Sequence, residues 1–143
     1  MNNELMFSSN KDDWETPQKL FDRLNLEYDF TLDAAANEKN SKCDEYLTDA
    51  LEQPWHGSVW CNPPYGRTTT GDFIKRGYDM FRWNDACKSI VFLVPARTDT
   101  RWFHDYVYGI ASIEFLKGRL KFEVNGVPSK NAAPFPSMLV IYR

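Results

Sequence analysis

The apolar and polar positions near the start of the chain change from a helical period to a strand period. Apolar residues between 20 and 24 share one helical face, directly after Thr16 and Pro17. A threonine before a proline is typical of a helix start, with Thr16 as N-cap and Pro17 as the first helical residue. Residues 28–34 then alternate and are rich in β-formers, which predicts a strand ending at Asp33.

The middle of the chain predicts a buried strand that stops abruptly and is followed by a helix. Residues 44–47 are expected to form a short helix, and residues 58–61 form an apolar run that two prolines terminate. Residues 66–71 read as a flexible polar loop, after which Asp72 is expected to cap a helix. The apolar residues of that helix fall on one face as far as residue 81.

The C-terminal half predicts four more strands and one helix. Residues 90–94 are continuously apolar, which is typical of a strand buried on both faces of a parallel sheet. Thr98 or Asp99 is expected to cap a helix running to about residue 110. The three remaining strands are expected at residues 113–116, 120–124 and 138–142, with a proline-rich loop at 125–137.

This order of elements predicts an α/β fold with a compact, mainly parallel sheet and an antiparallel C-terminal edge. With 143 residues, one domain is expected. We assign it to residues 14–143, preceded by a polar, flexible N-terminus at residues 1–13.

Charge is distributed unevenly between the two halves of the chain. The net charge of −3 divides into −7 for residues 1–85 and +4 for residues 86–143. The C-terminal half could therefore face phosphates, or simply carry solvated lysines. The basic side chains concerned are Arg97, Arg101, Lys117, Arg119, Lys121 and Lys130.

Several classes of protein are disfavoured by what the sequence lacks. No stretch approaches the roughly 18 apolar residues of a membrane span, and the N-terminus does not resemble an export signal. The three cysteines lack metal-ligand spacing, so reduced thiols and no metal site are expected. These features favour a cytoplasmic location.

Asn62, Pro63, Pro64 and Tyr65, directly after the buried strand, form the strongest chemical signal. Ligands of open α/β sheets bind beyond the carboxyl ends of strands, where this tetrapeptide is expected. The chemistry of the tetrapeptide suits the exocyclic amino group of a nucleic-acid base. The nitrogen of this group is a poor nucleophile, because its lone pair is delocalised into the ring. The Asn62 side-chain oxygen and the Pro63 carbonyl could accept from both of its N–H groups as a methyl group arrives.

The remaining residues of the tetrapeptide suit the same task. Two prolines stiffen the loop and hold the acceptors before reaction, and the Tyr65 ring offers a face on which an extruded base could stack. The alternative is a Pro-Pro strand terminator followed by a buried tyrosine.

Two further segments could hold a cofactor. Asp33 closes the first strand, and the three alanines after it would let a ligand approach the backbone, although such an aspartate is more often a turn or helix cap. The helix that begins at Thr16 and Pro17 would present free N–H groups to a carboxylate such as that of methionine. Trp14 could cover a sulfonium or an adenine ring.

These segments together resemble the phage-type DNA N-6-adenine methyltransferase family. The resemblance runs from about Asp12 to Tyr142, and its segments occur in family order. They are WETPQKLFDRL, FTLDAAANEKNSKC, LEQPWHGSVWCNPPYGR, FLVPARTDTRWFHD, FLKGRLKF and NAAPFPSMLVIY.

The resemblance implies a Rossmann-like methyltransferase domain with S-adenosylmethionine as donor and double-stranded DNA as substrate. It assigns Trp14, Thr16, Pro17 and Asp33 to the cofactor pocket and residues 62–65 to the catalytic loop. The segment around Arg97 and residues 117–122 would lie near the target base. Because the glycine-rich loop of larger relatives is absent, Asp49 is a candidate for the ribose contact.

Alternatives to adenine in DNA stay open. Cytosine, RNA and a protein glutamine amide present a similar planar NH₂ group, and a non-catalytic DNA-binding relic of the fold is a rival of another class. An acidic enzyme without a separate recognition domain could also act as a homodimer.

Overall fold

Six strands form one mixed sheet in the computed structural model, which describes residues 14–143. Three helices accompany the sheet: α1 (Gln18–Tyr28), α2 (Thr69–Trp83) and α3 (Arg101–Tyr106). The strands are β1 (Leu32–Asp33), β2 (Glu45–Tyr46), β3 (Gly57–Cys61), β4 (Cys87–Pro95), β5 (Ser112–Phe115) and β8 (Ser137–Tyr142). A separate hairpin joins β6 (Glu123–Val124) to β7 (Val127–Pro128). The predicted flexible N-terminus, residues 1–13, lies outside the described residues.

The sheet has the order β2-β1-β3-β4-β8-β5, and its first four strands are parallel. β8 runs antiparallel to both β4 and β5. The predicted mainly parallel α/β sheet is therefore confirmed. The expected position of the antiparallel strand is wrong, because β8 lies between β4 and β5 and β5 forms the edge.

Alternate residues of the central strands pack on opposite faces of the sheet. Val59, Ile90 and Phe92 join the cluster beneath α2 and α3, whereas Trp60 and Val91 join the cluster beneath α1. This is the two-residue period of a strand. Both faces are covered, which explains why residues 90–94 are apolar without interruption.

α2 approaches the sheet closely at Gly77. A Cβ at this position would lie 2.4 Å from the Phe92 ring and 3.2 Å from that of Trp55. Gly77 is therefore required by close packing between the helix and β4.

Several predicted helix features are wrong, including the end of α3, which lies at Tyr106 instead of about residue 110. The residues expected as a short helix at 44–47 instead contain β2, which pairs with β1. α2 begins at Thr69 after Thr68, so Asp72 lies in its first turn and the polar loop is shorter than 66–71. Thr100, and neither Thr98 nor Asp99, caps α3 by accepting from the Phe103 N–H.

The strand predicted at residues 120–124 is also shorter than expected. Only Glu123 and Val124 pair, and their partners lie within the predicted loop at 125–137. The turn between them has positive φ at Asn125 (54°) and Gly126 (82°). An Asn-Gly pair adopts such angles readily, so it folds the chain back into a hairpin.

Candidate functional site

A cleft of about 330 Å³ opens beyond the carboxyl ends of β1, β2 and β3. Parallel strands bring their carboxyl ends to one edge of a sheet, which is where such folds bind ligands. The volume is in the range of small-molecule sites. The cleft is lined by Trp14, Glu15, Thr16, Asp33, Ala35, Ala36, Asn37, Asn40, Thr48, Trp60, Asn62, Pro63 and Pro64.

Asn62 follows the last residue of β3 and is half-buried at this cleft. Its Nδ2 donates to the backbone carbonyl of Trp14 and to Thr16 Oγ1 at 3.1 Å. Its Oδ1 accepts from the Tyr65 hydroxyl at 2.5 Å. A carbonyl oxygen has two lone pairs, so Oδ1 keeps the capacity for one more donor.

Tyr65 is buried, with 7% of its surface exposed. Its hydroxyl also lies 3.0 Å from the Leu93 carbonyl, and burial raises the pKa of the phenol well above its ordinary value. The edges of Phe122 and Phe135 pack against the ring. The open ring face expected for stacking a base is therefore absent, and Tyr65 is not among the residues that line the cleft.

Asp33 is the charged group at the base of the cleft, with 3% of its surface exposed. Loss of hydration raises its pKa from 3.8 to about 6, although its carboxylate accepts from the backbone N–H groups of Lys42 and Ala35. The two backbone N–H groups are those of a turn residue, as the alternative interpretation of Asp33 expected, and the same carboxylate lines the cleft.

Residues 14–16 connect the tetrapeptide at Asn62–Tyr65 to the β6–β7 hairpin. The Glu15 carbonyl accepts from the Glu123 N–H at 3.0 Å, and the Glu15 carboxylate accepts from the Gly126 N–H at 3.2 Å. Trp14 contacts Phe122 and Phe135 with its ring. This segment therefore forms one wall of the cleft.

The expected start of α1 is wrong, and so is its expected anion site. Pro17 is the N-cap, and its flanking Thr16 hydroxyl accepts from Asn62 instead of capping the helix. The Gln18 N–H donates to Glu123 Oε2 at 2.9 Å. A carboxylate of the chain itself thus occupies the helix N-terminus, and Lys42 Nζ lies 3.9 Å from the same Glu123 side chain.

The structure brings most of the predicted cofactor residues together. Trp14, Thr16 and Asp33 line the cleft, but Pro17 and Asp49 do not. The Asp49 carboxylate is exposed and accepts from the Gln53 side chain at 3.2 Å, as in a local turn.

Sequence reasoning missed several polar residues of the cleft, including Asn37, Asn40 and Thr48. The two asparagines follow β1. Thr48 follows β2, so an interpretation of residues 45–46 as a strand would have indicated it. The sequence signal that could have indicated these residues is that each follows the carboxyl end of a strand, where ligands of such sheets bind.

The predicted basic residues form no part of the cleft wall. Arg97 and Arg101 are exposed near the end of β4. Lys117, Arg119 and Lys121 are exposed on the segment between β5 and β6, and Lys130 is exposed after β7. The segment is anchored by backbone bonds from Leu116 to Ser137 and from Ala133 to Leu120.

Two absences hold for residues 14–143. No helix in that range combines the length and apolar character needed to cross a bilayer. Nor does the range bring together three or more His, Cys, Asp or Glu side chains in a group that could hold a metal ion.

Comparison with known proteins identifies the family. The chain is 31% identical over 122 residues to a DNA N-6-adenine-methyltransferase of Escherichia phage T1, an alignment that covers 81% of the chain. The chain spans about half the length of that relative, since the alignment covers 49% of it. The family model described as DNA N-6-adenine-methyltransferase (Dam) matches residues 5–143. The chain therefore belongs to the DNA N-6-adenine-methyltransferase (Dam) family, as its sequence resemblance had indicated.

Proposed function

We propose that this chain transfers a methyl group from S-adenosylmethionine to the N-6 amino group of adenine in DNA. One observation carries the proposal: Asn62 and Pro63 line a cleft with the volume of a small-molecule site, at the carboxyl edge of the parallel strands. The family match supports the same reaction. The fold is then a compact variant of the Rossmann-like methyltransferase domain.

The residues of the cleft fit S-adenosylmethionine. Asp33, ionised near neutral pH, would hold the cationic ammonium of the methionine part. Ala35 and Ala36 leave room for a ligand against the backbone, and the side chains of Asn37, Asn40 and Thr48 offer partners for ribose hydroxyls. Bound there, the cofactor supplies a methyl group activated by a sulfonium.

Asn62 and Pro63 act on the amino nitrogen that receives the methyl group. The remaining lone pair of Asn62 Oδ1 and the Pro63 carbonyl would accept its two N–H groups, favour the pyramidal nitrogen and stabilise the positive charge that develops on it. Both acceptors are held before reaction, because prolines stiffen the loop and hydrogen bonds fix the amide. The amino proton leaves after transfer, so no strong general base is required.

The target adenine must leave the DNA helix to reach these acceptors. Exposed basic residues after β4 and between β5 and β6 would contact the phosphates of the DNA. Trp14 lines the cleft, so its side chain would contact a base or an adenine ring there, whereas Tyr65 is buried.

The proposal is tested by incubating the protein with isotopically labelled S-adenosylmethionine and, in parallel reactions, with unmethylated duplex DNA, RNA or a glutamine-containing peptide. Nuclease digestion and mass spectrometry should detect labelled N6-methyladenine, and the Asn62→Ala variant should give far less. Labelled N4-methylcytosine, methylated RNA or a methylated glutamine peptide as the main product would contradict the assignment to adenine in DNA.

Calorimetry distinguishes an active methyltransferase from a non-catalytic relic of the fold. Titration with S-adenosylhomocysteine should show binding at micromolar concentration. Absence of both binding and product would favour the relic.

A further inference from the structure

The hydrogen-bond partners of the Asn62 amide permit only one of its two orientations. Nδ2 faces the Trp14 carbonyl, which can only accept, and Thr16 Oγ1 at 3.1 Å. Oδ1 faces the Tyr65 hydroxyl at 2.5 Å. Rotating the amide by 180° would bring Oδ1 against the Trp14 carbonyl, where two acceptors repel each other. These hydrogen bonds therefore fix which atom of the Asn62 side chain is the acceptor.

The Tyr65 hydroxyl has a choice of acceptors. It has one proton, yet it lies 2.5 Å from Asn62 Oδ1 and 3.0 Å from the Leu93 carbonyl. β3 ends at Cys61, opposite Phe92, and the prolines that follow have no N–H to offer β4. The Tyr65 hydroxyl thus takes the place of the next backbone N–H that β3 would have donated to β4.

Packing around the Tyr65 ring holds it in the position from which its hydroxyl reaches Asn62. The ring is buried, and Phe122 and Phe135 lie at 6.0 Å and 5.7 Å with their planes steeply inclined to it. Stacking a base on this ring would require that packing to open.

We propose that Thr16 and Tyr65 are positioning residues for Asn62: Thr16 fixes the orientation of the amide, and the Tyr65 hydroxyl, which also reaches the Leu93 carbonyl, holds Oδ1 where a substrate amino group can donate to its second lone pair. Because both residues hold the amide before reaction, Oδ1 needs little reorganisation as positive charge develops on the substrate nitrogen. The inference rests on the proposed methyl transfer. It assigns Tyr65 a role through its hydroxyl instead of its ring.

The kinetic test compares Thr16→Val with Thr16→Ser, and Tyr65→Phe with Tyr108→Phe on an exposed tyrosine. Thr16→Val and Tyr65→Phe should each lower kcat about tenfold, as expected for one hydrogen bond, while KM for DNA and the Kd of S-adenosylhomocysteine stay within twofold. Thr16→Ser should recover most of the rate. A weaker Kd with unchanged kcat would make Thr16 a cofactor contact, and an unaffected Tyr65→Phe would remove the hydroxyl from the mechanism.

A double-mutant comparison tests whether both residues act through Asn62. In the Asn62→Ala background, Thr16→Val and Tyr65→Phe should have no further effect on kcat. Multiplicative losses would show that they act independently and would overturn the inference.

A measurement without turnover separates this inference from the proposed function. NMR of ¹⁵N-labelled protein should show Asn62 side-chain NH₂ protons, assigned by their loss in Asn62→Ala, that exchange slowly with water. Thr16→Val should accelerate that exchange at least tenfold, and Thr16→Ser should restore it. If the wild type methylates no nucleic acid but shows this protection, the proposed function fails and the positioning of Asn62 stands. Rapid exchange in the wild type would refute the positioning itself.

Discussion

The side-chain amide of Asn62 donates a hydrogen bond to the backbone carbonyl of Trp14, 48 residues earlier in the chain. The bond joins the tetrapeptide after β3 to the segment that also holds the β6–β7 hairpin. Three distant parts of the chain are therefore joined through the segment that lines one side of the cleft. The chemistry proposed for the site depends on this connection, because it fixes the acceptor that faces the substrate.

Asn62→Ala should lower the methylation rate by about 10²–10³-fold, the loss typical of removing one preorganised polar partner. Binding of S-adenosylhomocysteine should persist, because Asp33 and the loop after β1 are untouched. Single-turnover kinetics and calorimetry measure the two quantities. Normal turnover by this variant would refute the role of Asn62.

The Asn62→Asp variant should methylate more slowly than the wild type. A carboxylate has no proton to donate, so one of its oxygens would face the Trp14 carbonyl. An unpaired contact of this kind costs about 1–3 kcal/mol, which predicts a rate at least tenfold below the wild type at pH 7.5. Near-normal single-turnover rates for this variant would show that Trp14 and Thr16 do not select the amide.

Cofactor affinity should fall as the pH drops below about 6. Burial raises the pKa of Asp33 to about 6, and only the ionised carboxylate attracts an ammonium group. Protonation therefore removes the attraction at low pH, whereas about one pH unit above this pKa the carboxylate is fully charged and affinity is constant until the ligand's amine titrates. Calorimetry with S-adenosylhomocysteine from pH 5 to 8 measures this dependence.

Asp33→Asn is the control for that dependence. It should bind more weakly at pH 7.5 and vary little between pH 5 and 7, since the amide does not titrate. An equal fall in affinity for both proteins would assign the dependence to another group.

Gly77→Ala should destabilise the fold. The added methyl group would lie 2.4 Å from the Phe92 ring, and overpacking of this kind costs about 1–3 kcal/mol. Urea denaturation measures the free energy of unfolding. Lys75→Ala, on the exposed side of the same helix, removes only a surface ion pair and should leave the free energy of unfolding nearly unchanged. Equal stability of Gly77→Ala and wild type would mean that α2 can move away from β4.

The sequence predicted the elements that form the core well. The strands at 90–94 and 138–142 were predicted within a few residues because their positions are uniformly apolar and buried. The tetrapeptide at Asn62 was recognised because two prolines after an apolar strand leave few other interpretations.

The missed features depend on contacts between distant residues. β2 has two residues that are exposed or half-buried, so no hydrophobic period indicates it, and only pairing with β1 makes it a strand. The cap of α1 comes from Glu123, 105 residues from Gln18. Burial of Tyr65 by Phe122 and Phe135 likewise joins segments with no local signal. The Asn-Gly turn at residues 125 and 126 was the exception, since its local signal was present in the sequence.

The exposed lysines between β5 and β6 should set the affinity for DNA without affecting the chemistry. Lys117 and Lys121 are exposed and lie outside the cleft lining, so changing both to Gln should raise KM for DNA and leave kcat and cofactor binding intact. Each phosphate contact contributes about one unit to the slope of log K against log salt, so the double variant should lower that slope by about two.

The matched control changes Arg82 and Lys88 to Gln. These residues lie at the last turn of α2 and the start of β4, which is the opposite edge of the sheet. Fluorescence anisotropy with a labelled duplex at several salt concentrations measures the slopes. Equal slopes for the two double variants would show that net charge, and not the segment between β5 and β6, governs DNA binding.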